Sequence, residues 1–110
     1  MTTAANRPWR QEIELLQNFG KHKTFTHTIS SSSAETVVLI AGNMEEANKV
    51  SLVVELGDVY LEFDDDATSS SMFIPQDEGY FDDGIWIRSK ISVLKSGSGN
   101  ARIRGIIWGR

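Results

Sequence analysis

Apolar residues recur at every second position from Lys23 onward, and short polar turns interrupt this alternation at regular intervals. Alternation of this kind is typical of strands that bury one face, and many short strands separated by turns favour a β-sandwich or β-barrel. The sequence therefore predicts an all-β domain of seven or eight strands over residues 23–110. The strand segments are Thr24–Ile29, Thr36–Ile40, Lys49–Leu56, Val59–Phe63, Met72–Ile74, one or two strands across Ile85–Val93, and Arg102–Trp108.

Three local features refine this prediction. The run Thr36–Ile40 is apolar at nearly every position, which predicts a strand buried on both faces or nearly so. The pair Gly57-Asp58 separates two alternating segments, and a two-residue turn of this kind predicts a hairpin. The segment Lys95–Asn100 is rich in Gly and Ser and predicts a flexible hairpin loop before the last strand.

The N-terminal residues 1–22 differ from the rest, and two predictions stay open for them. Pro8 suits the first turn of a helix, and Trp9, Ile13 and Leu16 fall near helical spacing. The short segment Glu12–Leu15 instead alternates between charged and apolar residues, which suits an extended arm. We therefore expect an N-terminal arm or short helix before the sandwich.

The net charge of −4 conceals a strong segregation of charge along the chain. Residues 1–54 are balanced, residues 55–83 carry ten acids and no base, and residues 84–110 carry six bases and no acid. Pairing between neighbouring strands of one sheet is one explanation of this split. Complementary docking between copies, or onto a charged partner, is the other.

The candidate metal ligands of this chain are its acids and its two histidines. The run Asp64-Asp65-Asp66 offers oxygen ligands of the kind that calcium prefers, but the spacing of an EF-hand loop is missing. His22 and His27 are five positions apart, so they face opposite sides of a strand and are unable to share a metal. We expect no metal and no cofactor, with His27 hydrogen-bonded at or near the core.

No catalytic pattern stands out. The chain has no cysteine and no Gly-x-Ser-x-Gly nucleophile turn, and nothing marks one carboxylate as a glycosidase acid. The basic residues of the last third resemble a nucleic-acid surface, but an acidic body would repel phosphate. Three tryptophans leave carbohydrate stacking open beside core or interface roles. We therefore expect a protein that is not an enzyme and does not bind nucleic acid.

Over residues 24–104 the chain resembles small virion proteins of tailed bacteriophages. The resemblance is carried by Thr24–Ser33, Thr36–Ala41, Asp58–Thr68, Met72–Pro75, Ile91–Val93 and Gly97–Ile103. The chain is similar to the capsid decoration (staple) proteins of epsilon15-like podoviruses. That resemblance implies a jelly-roll-like sandwich bound outside the major capsid protein shell. It also implies copies that associate, with a dimer favoured, and that brace neighbouring shell subunits against the pressure of packaged DNA.

The residues themselves suggest where such a protein makes its contacts, because the resemblance supplies no residue motif. Core packing is the alternative for every candidate. No signal peptide or membrane span is recognisable, so we expect synthesis in the host cytoplasm, a place on the capsid exterior and no membrane contact. The alternative function is a carbohydrate- or receptor-binding module of a virion. The interface candidates are Pro8, Trp9, Ile13 and Leu16 in the N-terminal segment, and Arg102, Arg104, Ile106 and Trp108 in the last strand.

Overall fold

The structure is a computed structural model, and it describes residues 20–110. These residues form eight strands and no helix. The predicted N-terminal arm or helix, residues 1–22, lies outside the described residues except for residues 20–22, where the first strand already begins at Lys21. The strands are β1 Lys21–Ile29, β2 Glu35–Leu39, β3 Ala47–Leu56, β4 Val59–Phe63, β5 Met72–Ile74, β6 Gly79–Asp82, β7 Lys90–Lys95 and β8 Ala101–Gly109.

The strands build two antiparallel sheets of four strands each. The first sheet has the order β1-β8-β3-β6 and the second has the order β2-β7-β4-β5. The pairing is nested, since β1 pairs with β8, β2 with β7, β3 with β6, and β4 with β5. The predicted all-β sandwich of seven or eight strands is therefore confirmed.

The core lies between the two sheets and consists almost entirely of aliphatic side chains. In most strands alternate residues enter it, as the period-two pattern requires. Burying a side chain of this kind contributes on the order of 1.5–3 kcal/mol. The largest completely buried side chains are Ile29, Ile40, Leu61, Ile87, Ile91, Ile103 and Ile107.

Two predicted hairpins are wrong. The turn at Gly57-Asp58 joins β3 of the first sheet to β4 of the second, and residues 96–100 join β7 of the second sheet to β8 of the first. Both turns therefore cross the sandwich. Alternation identifies the buried face of each strand, but strands that face each other across a core alternate in the same way as strands that pair.

The expectation that Thr36–Ile40 is buried on both faces is also wrong. β2 is an edge strand of the second sheet, and its register with β7 shifts between Thr36 and Val38. This bulge allows the successive residues Val37 and Val38 both to be buried, while Leu39 is exposed.

Strand β6 was not predicted, because it lies between the predicted segments Met72–Ile74 and Ile85–Val93. Its residues Tyr80 and Phe81 alternate between partly buried and exposed positions, but the surrounding Gly and Asp residues conceal this short strand in the sequence. Ile87 is completely buried and bridges to Ala47 outside any regular strand. The predicted strand across Ile85–Val93 is therefore confirmed for Ile91 and Val93, which lie in β7, and wrong for Ile85 and Ile87, which lie outside regular strands.

A carboxylate joins the two sheets at one side of the sandwich. Glu35 begins β2, and its Oε1 lies 2.9 Å from Nε2 of His27 on β1. Its Oε2 accepts the backbone N–H groups of Ser30 and Ser31, at 2.9 and 3.0 Å. The Ser31 amide is the main cause that lowers the pKa of Glu35 from 4.5 to about 2, and His27 adds to this effect. His27 is hydrogen-bonded at the edge of the core, as the sequence predicted.

Candidate protein-binding face

The side of the first sheet that faces away from the core is a broad surface, here called the outer face. It is formed by alternate residues of β1, β8, β3 and β6, which the register aligns in rows across the sheet. Glu55 is the only acid among these outward residues. The rows contain His22, Thr24, Thr26 and Thr28 on β1, Arg102, Arg104, Ile106 and Trp108 on β8, Lys49, Ser51, Val53 and Glu55 on β3, and Gly79 and Phe81 on β6.

The four β8 residues proposed from the sequence as interface residues all lie on this outer face. They alternate with Ala101, Ile103, Ile107 and Gly109, which are buried. Arg102 and Arg104 are exposed, and Ile106 and Trp108 are partly exposed, so none of the four belongs to the buried core. β8 itself has β1 on one side and β3 on the other, so its backbone is unable to pair edge to edge with a second copy. Any contact through β8 must therefore use side chains.

Arg102 and Arg104 point from the same strand toward one carboxylate, and we call them the arginine pair. Their Nε atoms lie 3.2 and 3.0 Å from Oε1 of Glu55 on β3. The register of β3 shifts between Val54 and Leu56, which places Glu55 beside both arginines. The hydrogen bond from Arg104 is the main reason that the pKa of Glu55 lies below its ordinary value. Glu55 therefore remains ionised and holds both guanidinium groups in place.

The opposite end of the outer face combines a cation with aromatic rings. The ammonium group of Lys49 lies 4.6 Å from the ring centroid of Trp108 and 5.4 Å from that of Phe81. Both distances are within the range of cation–π attraction. Phe81 is 60% exposed although it is one of the larger apolar side chains.

A shallow depression of about 580 Å³ lies between the arginine pair and the aromatic end. Thr24 and Thr26 line one side, Ser51 and Val53 line the other, and Arg104 and Ile106 border it along β8. Gly105 has no side chain to fill this depression, and a Cβ at its position would collide with the carbonyl oxygen of Ser51, Cβ of Leu52 and the ring of Phe25. The outer face is therefore concave in its middle and presents hydroxyl, aliphatic and cationic groups together.

The outer side of the second sheet is different, because the chain itself partly covers it. The loop that follows β4 brings Ala67 against β7, where its N–H donates to Oγ of the buried Ser92 at 2.9 Å. The same loop carries Asp65 and Asp66, and Asp66 pairs with Lys90. The outer side of the second sheet is therefore partly covered by this loop, and it is more acidic than the outer face of the first sheet.

The acidic segment mostly serves local structure. Asp64 has a φ of 63°, and its carboxylate accepts the backbone N–H groups of Arg88 and Ser89 at 2.8 and 2.6 Å. Burial opposes ionisation of Asp64, but these amides, with that of Lys90, still lower its pKa. The carboxylate of Asp58 accepts the N–H of Gln76 at 2.9 Å. Through its hydrogen bonds, Asp64 holds the loop that follows β4 to the backbone of the segment that precedes β7.

No three His, Asp or Glu side chains in residues 20–110 are arranged to hold a metal ion. The pairs of Glu55 with the arginine pair and of Asp66 with Lys90 join the acidic segment to the basic one. These contacts favour pairing within the molecule as the explanation of part of the charge split.

The sequence did not single out Lys49, Phe81 or Glu55, although they belong to the same face. Only the pairing of β8 with β3, and of β3 with β6, brings them beside Trp108 and the arginine pair. Trp86, near the end of the same sheet, is 61% exposed, with the guanidinium of Arg88 lying 5.5 Å from the centroid of its ring. The candidates Pro8, Trp9, Ile13 and Leu16 lie outside the described residues.

No protein-family model, curated protein or solved structure matches this chain. Across the described residues there is no helix with the length and apolar character needed to cross a membrane.

Proposed function

We propose that this protein is a non-enzymatic structural protein of a phage virion. It binds the outside of the capsid shell and braces neighbouring major capsid protein subunits. The observation that supports this proposal best is the outer face of the first sheet, which combines exposed aromatic and aliphatic groups with arginines on a rigid four-stranded sheet. Protein interfaces are enriched in aromatic residues and arginine.

The shell partner and the capsid location rest on the resemblance to decoration proteins, and so does the dimer. The outer face adds an electrostatic argument. Lys49 and the arginine pair outnumber Glu55, so the face is positive on a protein whose net charge is −4. Attraction of an acidic shell surface would orient the protein with this face inward. The attraction between exposed groups is screened by salt, so attachment should weaken as ionic strength rises.

The test is to look for the chain on purified virions. An antibody against the purified protein should label the outside of intact particles, and quantitative mass spectrometry should give a fixed ratio of this chain to the major shell protein. Light scattering of the isolated protein measures whether it is a dimer. Absence from virions, or an amount far below the number of shell subunits, would refute the proposed role.

A carbohydrate- or receptor-binding module is the second candidate, and the exposed ring of Trp86 favours it. Sugars stack on exposed aromatic rings, and Phe81 supplies another exposed ring on the first sheet. Titration of the protein with a panel of host surface polysaccharides should then change its tryptophan fluorescence. A Trp86→Ala variant should lose that response. Unchanged fluorescence across the panel would dismiss this candidate.

A further inference from the structure

The edge of β1 that faces away from β8 is the longest unpaired strand edge among residues 20–110. β1 and β6 end the first sheet, and β2 and β5 end the second. β1 has nine residues and pairs with β8 without a register shift. β6 has four residues, β2 contains a bulge, and β5 has three residues followed by Pro75. Short, bulged or proline-flanked edges resist pairing with another chain, and β1 has none of these three features.

Backbone hydrogen bonds show which residues of β1 direct their polar groups to this edge. The N–H and C=O of Arg110 both bond to the backbone of Glu46, on the β3 side of the last strand, at 3.1 and 3.2 Å. Successive residues of an antiparallel strand direct these groups to opposite sides. Ile103, Gly105 and Ile107 of β8 therefore bond to β1. The other residues of β1 direct their N–H and C=O groups to the unpaired edge, here called the open edge, and they are His22, Thr24, Thr26 and Thr28.

The open edge is accessible to another chain. All four of its residues are exposed. β1 pairs with β8 alone, and no backbone hydrogen bond of the loops within residues 20–110 reaches these four residues. Threonine, which occupies three of the four positions, suits an extended strand. The sheet therefore presents a preformed row of backbone donors and acceptors.

A groove lies beside the open edge, where the two sheets of the sandwich separate. It has a volume of about 500 Å³ and is lined by Lys23 and Phe25 of β1, by residues 36–39 of β2 and by Asn43. Leu39 in this groove is 58% exposed. A strand that adds to a sheet edge gains backbone hydrogen bonds from the edge and side-chain contacts from such a groove. This side of the sandwich therefore has both features of a strand-addition site.

We infer that β1 pairs antiparallel with β1 of a second copy, around a twofold axis that passes between the two Phe25 residues. Thr24 then faces Thr26 of the second copy, and His22 faces Thr28 of the second copy. Every N–H and C=O of the open edge has a partner in this register, because its four residues pair among themselves. A shift by two residues in either direction leaves one residue of each open edge without a strand partner. Cross-strand threonine pairs add to the stability of such a ladder.

The same register brings a cation to a carboxylate. Lys23 of the second copy faces His27, whose Nε2 lies 2.9 Å from Oε1 of Glu35. Among residues 20–110, Lys23 has no ion pair within its own chain. It therefore reaches Glu35 across the interface, and the twofold axis repeats this pair. Lysines on an edge oppose pairing when they meet one another, but Lys21 faces Ile29 here, so no two lysines are opposed.

The outer face is a poorer site for contact between copies. Its permanent cations, Lys49 and the arginine pair, outnumber Glu55, so two outer faces would repel each other. Pairing through β1 instead joins the two first sheets edge to edge, with both outer faces on the same side of one continuous sheet. The inference rests on the dimer of the proposed function and gives it an interface. One dimer then presents two positive faces to neighbouring shell subunits.

Disulfide trapping in the full chain tests the register. The chain has no cysteine, so Thr24→Cys and Thr26→Cys each introduce a single thiol. A mixture of the two variants should form a covalent dimer on mild oxidation, because facing Cα atoms are about 5.5 Å apart and a disulfide spans about 4.4–6.8 Å. Either variant alone should form about tenfold less, because equal positions are diagonal neighbours about 7–8 Å apart. Ser98→Cys mixed with either variant is the control and should stay uncrosslinked.

Sedimentation equilibrium tests the role of the backbone. Thr26→Pro removes an N–H directed to the second copy and no hydrogen bond to β8, so the dissociation constant of the dimer should rise about tenfold or more. Thr26→Ala keeps this N–H and should raise the constant less than about fivefold. The circular-dichroism spectrum of each variant checks that the sheets are intact.

Charge reversal tests the pair across the interface without touching the backbone. Lys23→Glu places a carboxylate beside Glu35 of the second copy, so the dissociation constant should rise about tenfold. Lys95→Glu makes the same change of net charge on β7 and is the matched control, with less than about a twofold effect. In 1 M sodium chloride, where the Debye length is about 3 Å, the difference between the two variants should shrink.

Three outcomes would overturn the inference. One is a protein that stays monomeric at about 1 mM. Another is a dimer that gives no mixed Thr24–Thr26 crosslink, or that crosslinks as well through one variant alone. The third is a dimer that withstands both Thr26→Pro and Lys23→Glu. A monomer present on virions in fixed ratio would refute the pairing and leave shell binding intact, whereas a crosslinked dimer absent from virions would do the reverse.

Discussion

Replacing Glu35 by glutamine should destabilise the protein at neutral pH and much less in acid. The side chain accepts two backbone N–H groups and lies 2.9 Å from Nε2 of His27, so the substitution removes a charge that three donors stabilise. The fall of its pKa from 4.5 to about 2 corresponds to at most about 3.4 kcal/mol, at 1.36 kcal/mol per pKa unit. Because the side chain is 23% exposed and screened by solvent, we expect a loss of about 1.5–2 kcal/mol.

The sign of the pH dependence follows from the lowered pKa. A carboxylate with a lower pKa in the folded state contributes its full stabilisation above its unfolded pKa, here about 4.5, and loses it as the pH falls toward 2. The difference in unfolding free energy between the natural protein and Glu35→Gln should therefore be constant from pH 7 to about pH 5.5. At pH 3 it should have fallen to less than half of that value.

Urea unfolding monitored by tryptophan fluorescence, at several pH values between 3 and 7, measures this difference. Glu78→Gln is the matched control, since Glu78 is exposed and its carboxylate has no hydrogen-bond donor among residues 20–110. Its unfolding free energy should follow that of the natural protein within about 0.5 kcal/mol. A Glu35→Gln deficit that is the same at pH 3 and pH 7 would show that packing, and not ionisation, accounts for the loss.

Two further predictions concern positions where the backbone is constrained. In Gly109→Ala the new Cβ would overlap the carbonyl oxygen of Glu46, so this variant should lose more than about 2 kcal/mol of unfolding free energy. In the control Gly97→Ala the new Cβ meets nothing within 4 Å, so this variant should lose less than about 1 kcal/mol. Equal losses of the two variants in thermal unfolding would contradict the prediction. In Asp64→Gly the hydrogen bonds to residues 88–90 are lost at a cost of about 1–2 kcal/mol, and Asp64→Ala should cost about 1 kcal/mol more because φ is 63°. An alanine variant at least as stable as the glycine variant in urea would refute the role of the backbone angle.

The candidate face shows how far strand periodicity carries a prediction of function. Alternation placed Arg102, Arg104, Ile106 and Trp108 on one side of the last strand, and the structure keeps them there. It gave no indication of the partners on that face, because Glu55 lies 47 residues before Arg102 in the sequence and reaches it only through strand pairing.

Strand identity and buried faces were largely determined by the sequence alone. Side chains alternate along an extended backbone, so a local pattern such as Val59–Phe63 is enough to place a strand and orient it. The short strand Gly79–Asp82 escaped prediction because Gly and Asp residues flank its two aromatic residues and conceal the alternation.

Strand pairing and the use of the charges were decided only by the tertiary structure. Two strands joined by a short turn alternate in the same way whether they pair or face each other across the core, so Gly57-Asp58 gave no sign that the chain changes sheets there. The partners of a carboxylate likewise depend on contacts distant in sequence. Asp64, which the sequence offered as a metal ligand, is committed to the backbone of residues 88–90 because the fold brings two loops together around it.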